Sequence, residues 1–350
     1  MRYAAGDVSP LRFRVTDIEH AIERGLSTWL SRALETHGHT VPAESQESLK
    51  LAARGAVLQG RHLQRRLARI LSVAAERDIS VCLLKGAALE PWLYPGPGFR
   101  PMADVDLLVA PALQKGFEEL LRESGYVQRS RFPGRWPADC HHSMPFWHPR
   151  QGIWIEVHTR LFPKVANVLL ADQECFDYHA TKTNRLRAPA QTLYTVAHWA
   201  GQFLGPSGII SLLDLTLLLR HAGLPDLDDY DFDAPQRAWM ACALGVACSL
   251  LPNRSTSISY RAHESLEAWR RRRLTRLGKH YILNDEPFGR WHSPNMASVR
   301  WEALMDTASA PRALLREPWW SLFPPSEQGR FSPRRLYSRL GRLWRLQDQR

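Results

Sequence analysis

The spacing of polar and apolar positions along this chain changes several times, and each change marks an element. Leu49, Leu51, Ala52, Val57, Leu58, Leu63, Leu67, Ile70, Leu71 and Val73 recur near helical spacing with arginines between them. This pattern predicts a helix over 44–78, preceded by a helical stretch over 16–37. From 81 to 162 the pattern becomes that of an α/β unit. Val81–Leu84 is a short apolar run that ends at Lys85-Gly86. Ala88, Leu89, Trp92 and Leu93 then predict a helix over 87–94, in which Pro91 is tolerated because it falls near the first turn. Residues 104–109 alternate as a strand does. Pro111 opens a helix through Glu123 and Gly125 ends it. Further strands are expected over 126–131, 143–147 and 153–158. A loop rich in Pro, Gly and aromatic residues, 132–142, separates the first two. From Ala190 onward helical spacing dominates, over 190–204, 208–222, 234–251, 261–280 and 333–346, and 285–325 reads as irregular. The expected class is α+β, with N-terminal helices over 1–79, a mixed-sheet core over 80–165 and a larger C-terminal helical region over 166–350.

Composition narrows the setting. A hydrophobic content of 44% suits a globular chain with a sizeable core. The five cysteines are scattered and form no C-x-x-C pair, which argues for a reducing compartment and against a disulfide scaffold. Residues 1–25 contain no apolar run of signal-peptide type. The longest apolar stretch, Gly208–Leu219, contains Asp214 and is too short to span a bilayer. A cytoplasmic protein without a transmembrane segment is therefore expected. Lys and Arg number 46 against 35 Asp and Glu, a net charge of +11. That mild excess admits a nucleic-acid partner, and an arginine-rich composition without one is the favoured account of it.

The chemistry concentrates between residues 81 and 158. In ADVDLLV, strand alternation puts Val105, Leu107 and Val109 on one face and both carboxylates, Asp104 and Asp106, on the other. Two such groups repel unless a cation lies between them, and Mg²⁺ binds through one or two carboxylates plus the phosphates of a substrate. Upstream, Lys85 and Gly86 end a strand and open a helix, a combination suited to an anion. Arg100, just before the acidic pair, is read either as a phosphate contact or as a support for Asp104. In GIWIEVHTRLF, Trp154, Glu156 and His158 share a face opposite Ile153, Ile155 and Val157. If that strand lies beside the Asp strand, Glu156 completes a three-carboxylate cluster able to hold two metal ions. His158 is either a nucleotide contact or a structural histidine.

LKGAAL, followed by Tyr94, Arg100, MADVDLLV and IEVHTRL, resembles the bacterial family of uncharacterised nucleotidyltransferases, within the DNA polymerase β-like nucleotidyltransferase superfamily. Toxin nucleotidyltransferases of abortive infection share a similar K-G, R, D-x-D pattern. Lys85-Gly86-Ala87 stands where the superfamily usually has Gly-Ser. The resemblance implies a nucleotidyltransferase-type sheet and Mg²⁺- or Mn²⁺-dependent transfer of an NMP group from a nucleoside triphosphate to an unidentified small molecule, peptide or protein. In this reading Asp104, Asp106 and Glu156 hold the metal and carry catalysis, and Lys85, Gly86, Arg100 and His158 bind the nucleotide. The alternatives are a toxin-like enzyme that modifies tRNA and a silent module that keeps the fold.

Other features have plainer readings. Cys140-His141-His142 lacks the further ligands of a closed zinc site. His198 is expected to pack in a helical core, and Asp214 among leucines needs a partner such as an arginine or the nucleotide. The arginines at 270–273 read as a solvated face, and the basic helix at 334–345 as packing, with RNA or membrane surface as the alternative.

Overall fold

The structure is a computed structural model. It describes residues 13–37, 41–129, 142–162, 164–201 and 208–233, with 236, 237, 240, 243 and 244 beyond them. The helices expected over 261–280 and 333–346, most of 234–251, the irregular 285–325, both arginine clusters, Cys140, His141 and most of the loop over 132–142 lie outside the described residues.

Among the described residues, the chain has a mixed α+β architecture built on one seven-stranded sheet. In chain order the strands are β1 (Val81–Leu83), β2 (Val105–Val109), β3 (Val127–Gln128), β4 (Phe146–His148), β5 (Ile153–His158), β6 (Gln173–Tyr178) and β7 (Thr181–Leu186). Their order in space is β3-β4-β5-β2-β1-β7-β6. Parallel pairs, β2 with β5 and β1 with β7, are mixed with antiparallel ones. The helices are α1 (Val15–Glu23), α2 (Ser27–His37), α3 (Ala43–Glu76), α4 (Lys85–Leu93), α5 (Gln114–Glu123), α6 (Ala188–Gly201) and α7 (Gly208–Ala222).

Period-2 alternation divides the sheet into two faces. Val81, Leu83, Val105, Leu107, Val109, Ile155 and Val157 pack with Leu63, Leu67, Ile70 and Leu71 of α3 and with Phe117, Leu120 and Leu121 of α5. Full burial of a side chain of this size contributes about 1.5–3 kcal/mol, so this face sets the strand register. Cys82 and Leu108 point the other way, into a cluster with Leu193, Tyr194 and Ala197 of α6 and Leu212 and Leu215 of α7.

Several elements differ from those expected. The stretch over 16–37 is two helices, because Gly25 turns the chain at φ +69°. A side chain there would collide with Pro101, so the turn also lets α1 and α2 approach the loop before β2. Leu51 and Leu58, expected on the apolar stripe of α3, are exposed. Helix α4 begins at Lys85, two residues early, so Pro91 lies inside it rather than near its first turn. The sheet continues past 165: the β6–β7 hairpin extends it within a stretch expected to be helical.

The 95–101 segment is clamped from three sides. Gly60 of α3 and Gly98 meet so closely that a Cβ on Gly60 would lie 2.4 Å from the Gly98 nitrogen. Thr28 and Trp29 of α2 donate to the Gly98 and Phe99 carbonyls. The buried Glu90 carboxylate accepts from the Gly98 N–H and from Gln64. These contacts fix the approach to β2. Among the described residues, no helix is long and apolar enough to cross a membrane.

Candidate active site

The parallel pairing of β2 with β5 sets Asp106 directly beside Glu156, and Leu108 beside His158. Neighbours across a ladder point to the same face, so both carboxylates project together, away from the core under α3. Ligand atoms of Asp106, Glu156 and His158 all lie within 4.8 Å of one another. Ile155 is buried on the opposite face and Trp154 is half-buried, stacked on Trp147 of β4 with ring centroids 4.7 Å apart. Asp104 stands outside this group of three. It sits one residue before β2, half-buried in a bend where the strand pleat does not govern its direction.

Asp106 is the hub. It accepts from Lys85 Nζ and from His158 Nε2, each 2.8 Å from Oδ1. Burial alone would raise its pKa. The Lys85 charge and the His158 hydrogen bond outweigh that and hold the carboxyl well below its ordinary range. Lys85 is subject to the converse balance: burial would lower it, yet the charge of Asp106 raises it. His158 is 1% exposed, and burial lowers it to about 4 against the pull of Asp106, so the ring is neutral at physiological pH. His142 adds a second imidazole. A bridge to His158 at the end of β5 brings its Nε2 to 3.7 Å from Glu156 Oε2.

Lys85 holds a left-handed φ of +46°, rare for a side chain with a Cβ. Its ammonium reaches Asp106 of β2. The space over Gly86 is filled by protein: a Cβ there would meet Arg100 Nη1 at 2.1 Å and Met102 Sδ at 2.6 Å. The glycine is therefore needed for these two side chains, whereas the sequence suggested a phosphate. Arg100 likewise has a partner other than the two expected. Its guanidinium makes a two-pronged pair with Asp214 of α7, Nε to Oδ1 at 2.9 Å and Nη2 to Oδ2 at 2.8 Å. The Tyr94 hydroxyl donates to the same carboxylate. This satisfies the buried Asp214 and ties α7 to the loop before β2. His198 packs edge-on against Tyr194, as a core histidine would.

Among the described residues, the set is two adjacent carboxylates, two imidazoles and one ammonium on a single sheet face. Such a set can bind a divalent cation and a phosphate chain. A family model described as an uncharacterised nucleotidyltransferase matches residues 18–249. The chain belongs to this family. Neither the curated proteins nor the solved structures yielded a match. In this nucleotidyltransferase family member two site features were not legible beforehand. His142 reaches the site through a bridge that local alternation does not reveal. Tyr194 of α6 is 1% exposed, and its hydroxyl has no hydrogen-bond partner among the described residues. It lies close enough to Lys85 and Asp106 for their charges to act on it. The alternating small and apolar residues of α6 hide it as ordinary core.

Proposed function

We propose that this protein is an active, metal-dependent nucleotidyltransferase that moves an NMP group from a nucleoside triphosphate to an acceptor nucleophile. The observation that carries this reading is the in-register pairing of Asp106 with Glu156, with Lys85 seated on Asp106. The donor set fits a divalent cation, since the ligand atoms are oxygens and a neutral imidazole nitrogen within one ion's reach. Asp106 and Glu156 would hold it, with Asp104 at the rim. When bound, the ion supplies positive charge at the α-phosphate and activates the acceptor oxygen.

The residues themselves do the remaining work. Lys85 leaves Asp106 and meets the distal phosphates, so its charge moves from a carboxylate to the leaving group. Glu156, less buried than Asp106, takes the acceptor's proton as the acceptor oxygen attacks the α-phosphorus and pyrophosphate departs. Arg100, held by Asp214, keeps the loop before β2 in place and packs over Gly86. Neutral His158 orients the Asp106 carboxylate. In this reading Gly86 and Arg100 shape the nucleotide pocket and His158 borders it.

The test is incubation of the full chain with each α-labelled triphosphate, Mg²⁺ or Mn²⁺ and cell extract, then separation into RNA, protein and small-molecule fractions. Label in one fraction, absent with Asp106→Asn, is the expected result and also identifies the acceptor class. No transfer to any fraction, with triphosphate binding unaffected by metal, would refute the reading.

A further inference from the structure

The cluster contains more nitrogen than a Mg²⁺ site needs. His158 contributes a ligand atom within 4.8 Å of those of Asp106 and Glu156. His158 Nε2 is 3.8 Å from Glu156 Oε2, and His142 Nε2 is 3.7 Å from the same oxygen. The two rings lie 5.1 Å apart and their side chains are 1% and 10% exposed. Both rings therefore border the carboxylate pair, where Mg²⁺ would usually keep several waters. Imidazole nitrogen suits first-row transition ions better than Mg²⁺, most strongly the later ones, with Mn²⁺ the weakest binder of the series.

We infer that the ion at Asp106 and Glu156 is bound through imidazole nitrogen as well as carboxylate oxygen, so that the site selects Mn²⁺ or a neighbouring first-row divalent ion over Mg²⁺. The inference rests on the reading that Asp106 and Glu156 hold a metal; it adds His142 as a ligand, and His158 once the Nε2 proton that it donates to Asp106 has moved to Nδ1 and freed the Nε2 lone pair. An ion in that position replaces the Lys85 ammonium on Asp106, so the ion and Lys85 compete until a phosphate chain draws the lysine away.

Calorimetric titration of the metal-free full chain with Mn²⁺ and with Mg²⁺ measures the selectivity. A preference for Mn²⁺ of about tenfold or more is expected from nitrogen ligation. Pulsed electron paramagnetic resonance of the bound Mn²⁺ should show coupling to ¹⁴N. That coupling should weaken in His142→Gln and again in His158→Gln. If the buried His158 variant fails to fold, the wild-type ¹⁴N signal and the more accessible His142→Gln variant decide the matter. Mn²⁺ bound without ¹⁴N coupling, or Mg²⁺ bound as tightly as Mn²⁺, overturns the inference and leaves the transferase reading standing. Failure of both ions to bind, with or without triphosphate, overturns the inference and the transferase reading together.

Discussion

Replacing Lys85 by methionine isolates the central electrostatic feature of the site. The substitution keeps most of the apolar stem and removes the charge from Asp106, which is 4% exposed. Removing one partner of a buried pair costs about 3–5 kcal/mol. Here the Lys85 side chain is 21% exposed and His158 keeps its bond to Asp106, so the loss belongs below that range. About 2–3 kcal/mol is expected, or a fall in Tm of roughly 5–10 °C for a domain of this size. The pH dependence has a definite sign. In the wild type the folded Asp106 pKa is depressed, so its contribution is present above the ordinary carboxylate pKa and is lost as pH falls below it. Without Lys85 the carboxyl loses the charge that most offsets its burial, so its pKa rises relative to the wild type, though the His158 bond remains. The gap between the two proteins should therefore be widest near neutrality and narrow as pH falls and the variant's carboxyl takes up its proton. A divalent ion should restore more Tm to Lys85→Met than it adds to the wild type, because no ammonium competes for Asp106. Scanning calorimetry at several pH values, with and without Mn²⁺, reads all three effects. A Tm within about 2 °C of wild type, indifferent to pH and metal, would show that Lys85 does not neutralise Asp106.

Asp106→Ala should abolish label transfer and also lower Tm in metal-free buffer, since it strands Lys85 and His158; an unchanged or higher Tm would instead favour simple relief of repulsion between Asp104 and Asp106. Glu156→Gln should cut turnover severely, with Tm by circular dichroism held within about 2 °C, because its carboxylate is less buried. Gly98→Ala should destabilise by at least about 2 kcal/mol in urea titration, because φ is +81° and a Cβ would lie 2.4 Å from the Ala56 carbonyl oxygen of α3. For His158, the folded pKa of about 4 lies below the ordinary 6.5, so the unfolded chain binds the proton first. Stability is full above pH 6.5 and falls toward pH 4, by on the order of 3 kcal/mol over the window; a urea midpoint that stays flat across this range would count against a buried neutral ring. Tyr194→Phe should leave stability within about 0.5 kcal/mol or raise it, since the hydroxyl has no partner among the described residues. A raised KM for triphosphate in that variant would identify the hydroxyl as a ligand contact.

What could be read along the chain was whatever depends on near neighbours. Alternation in VDLLV and IWIEVH is a local property of the backbone. It correctly divided Leu107 and Ile155 from Asp106 and Glu156, and the family resemblance rested on these two segments together with LKGAAL, Tyr94 and Arg100. The end of α5 at Glu123 was legible for a similar reason, since Gly125 acts on its own turn, whereas Pro111 opens a 3-10 turn over Pro111–Leu113 and the α-helix itself begins only at Gln114. The β6–β7 hairpin carried no such signal. Its faces are half-exposed and charged, held by the cross-strand pairs Glu174–Arg185 and Asp177–Lys182. Its two-residue turn, His179-Ala180, adopts positive φ without the glycine or asparagine that usually announces it. Pairings across long separations were equally silent. Nothing near Arg100 indicates that its partner is Asp214, 114 residues away, and nothing near Gly86 indicates that Arg100 and Met102 fill the space over it. The Asp106–Glu156 register, the seating of Lys85 on Asp106 and the approach of His142 to Glu156 each depend on packing a mixed sheet between two helical layers. The residue types capable of metal and phosphate chemistry are written in the sequence. Which of them share one face at contact distance was decided by the tertiary fold, because a buried charge takes whichever partner the closed chain brings to it.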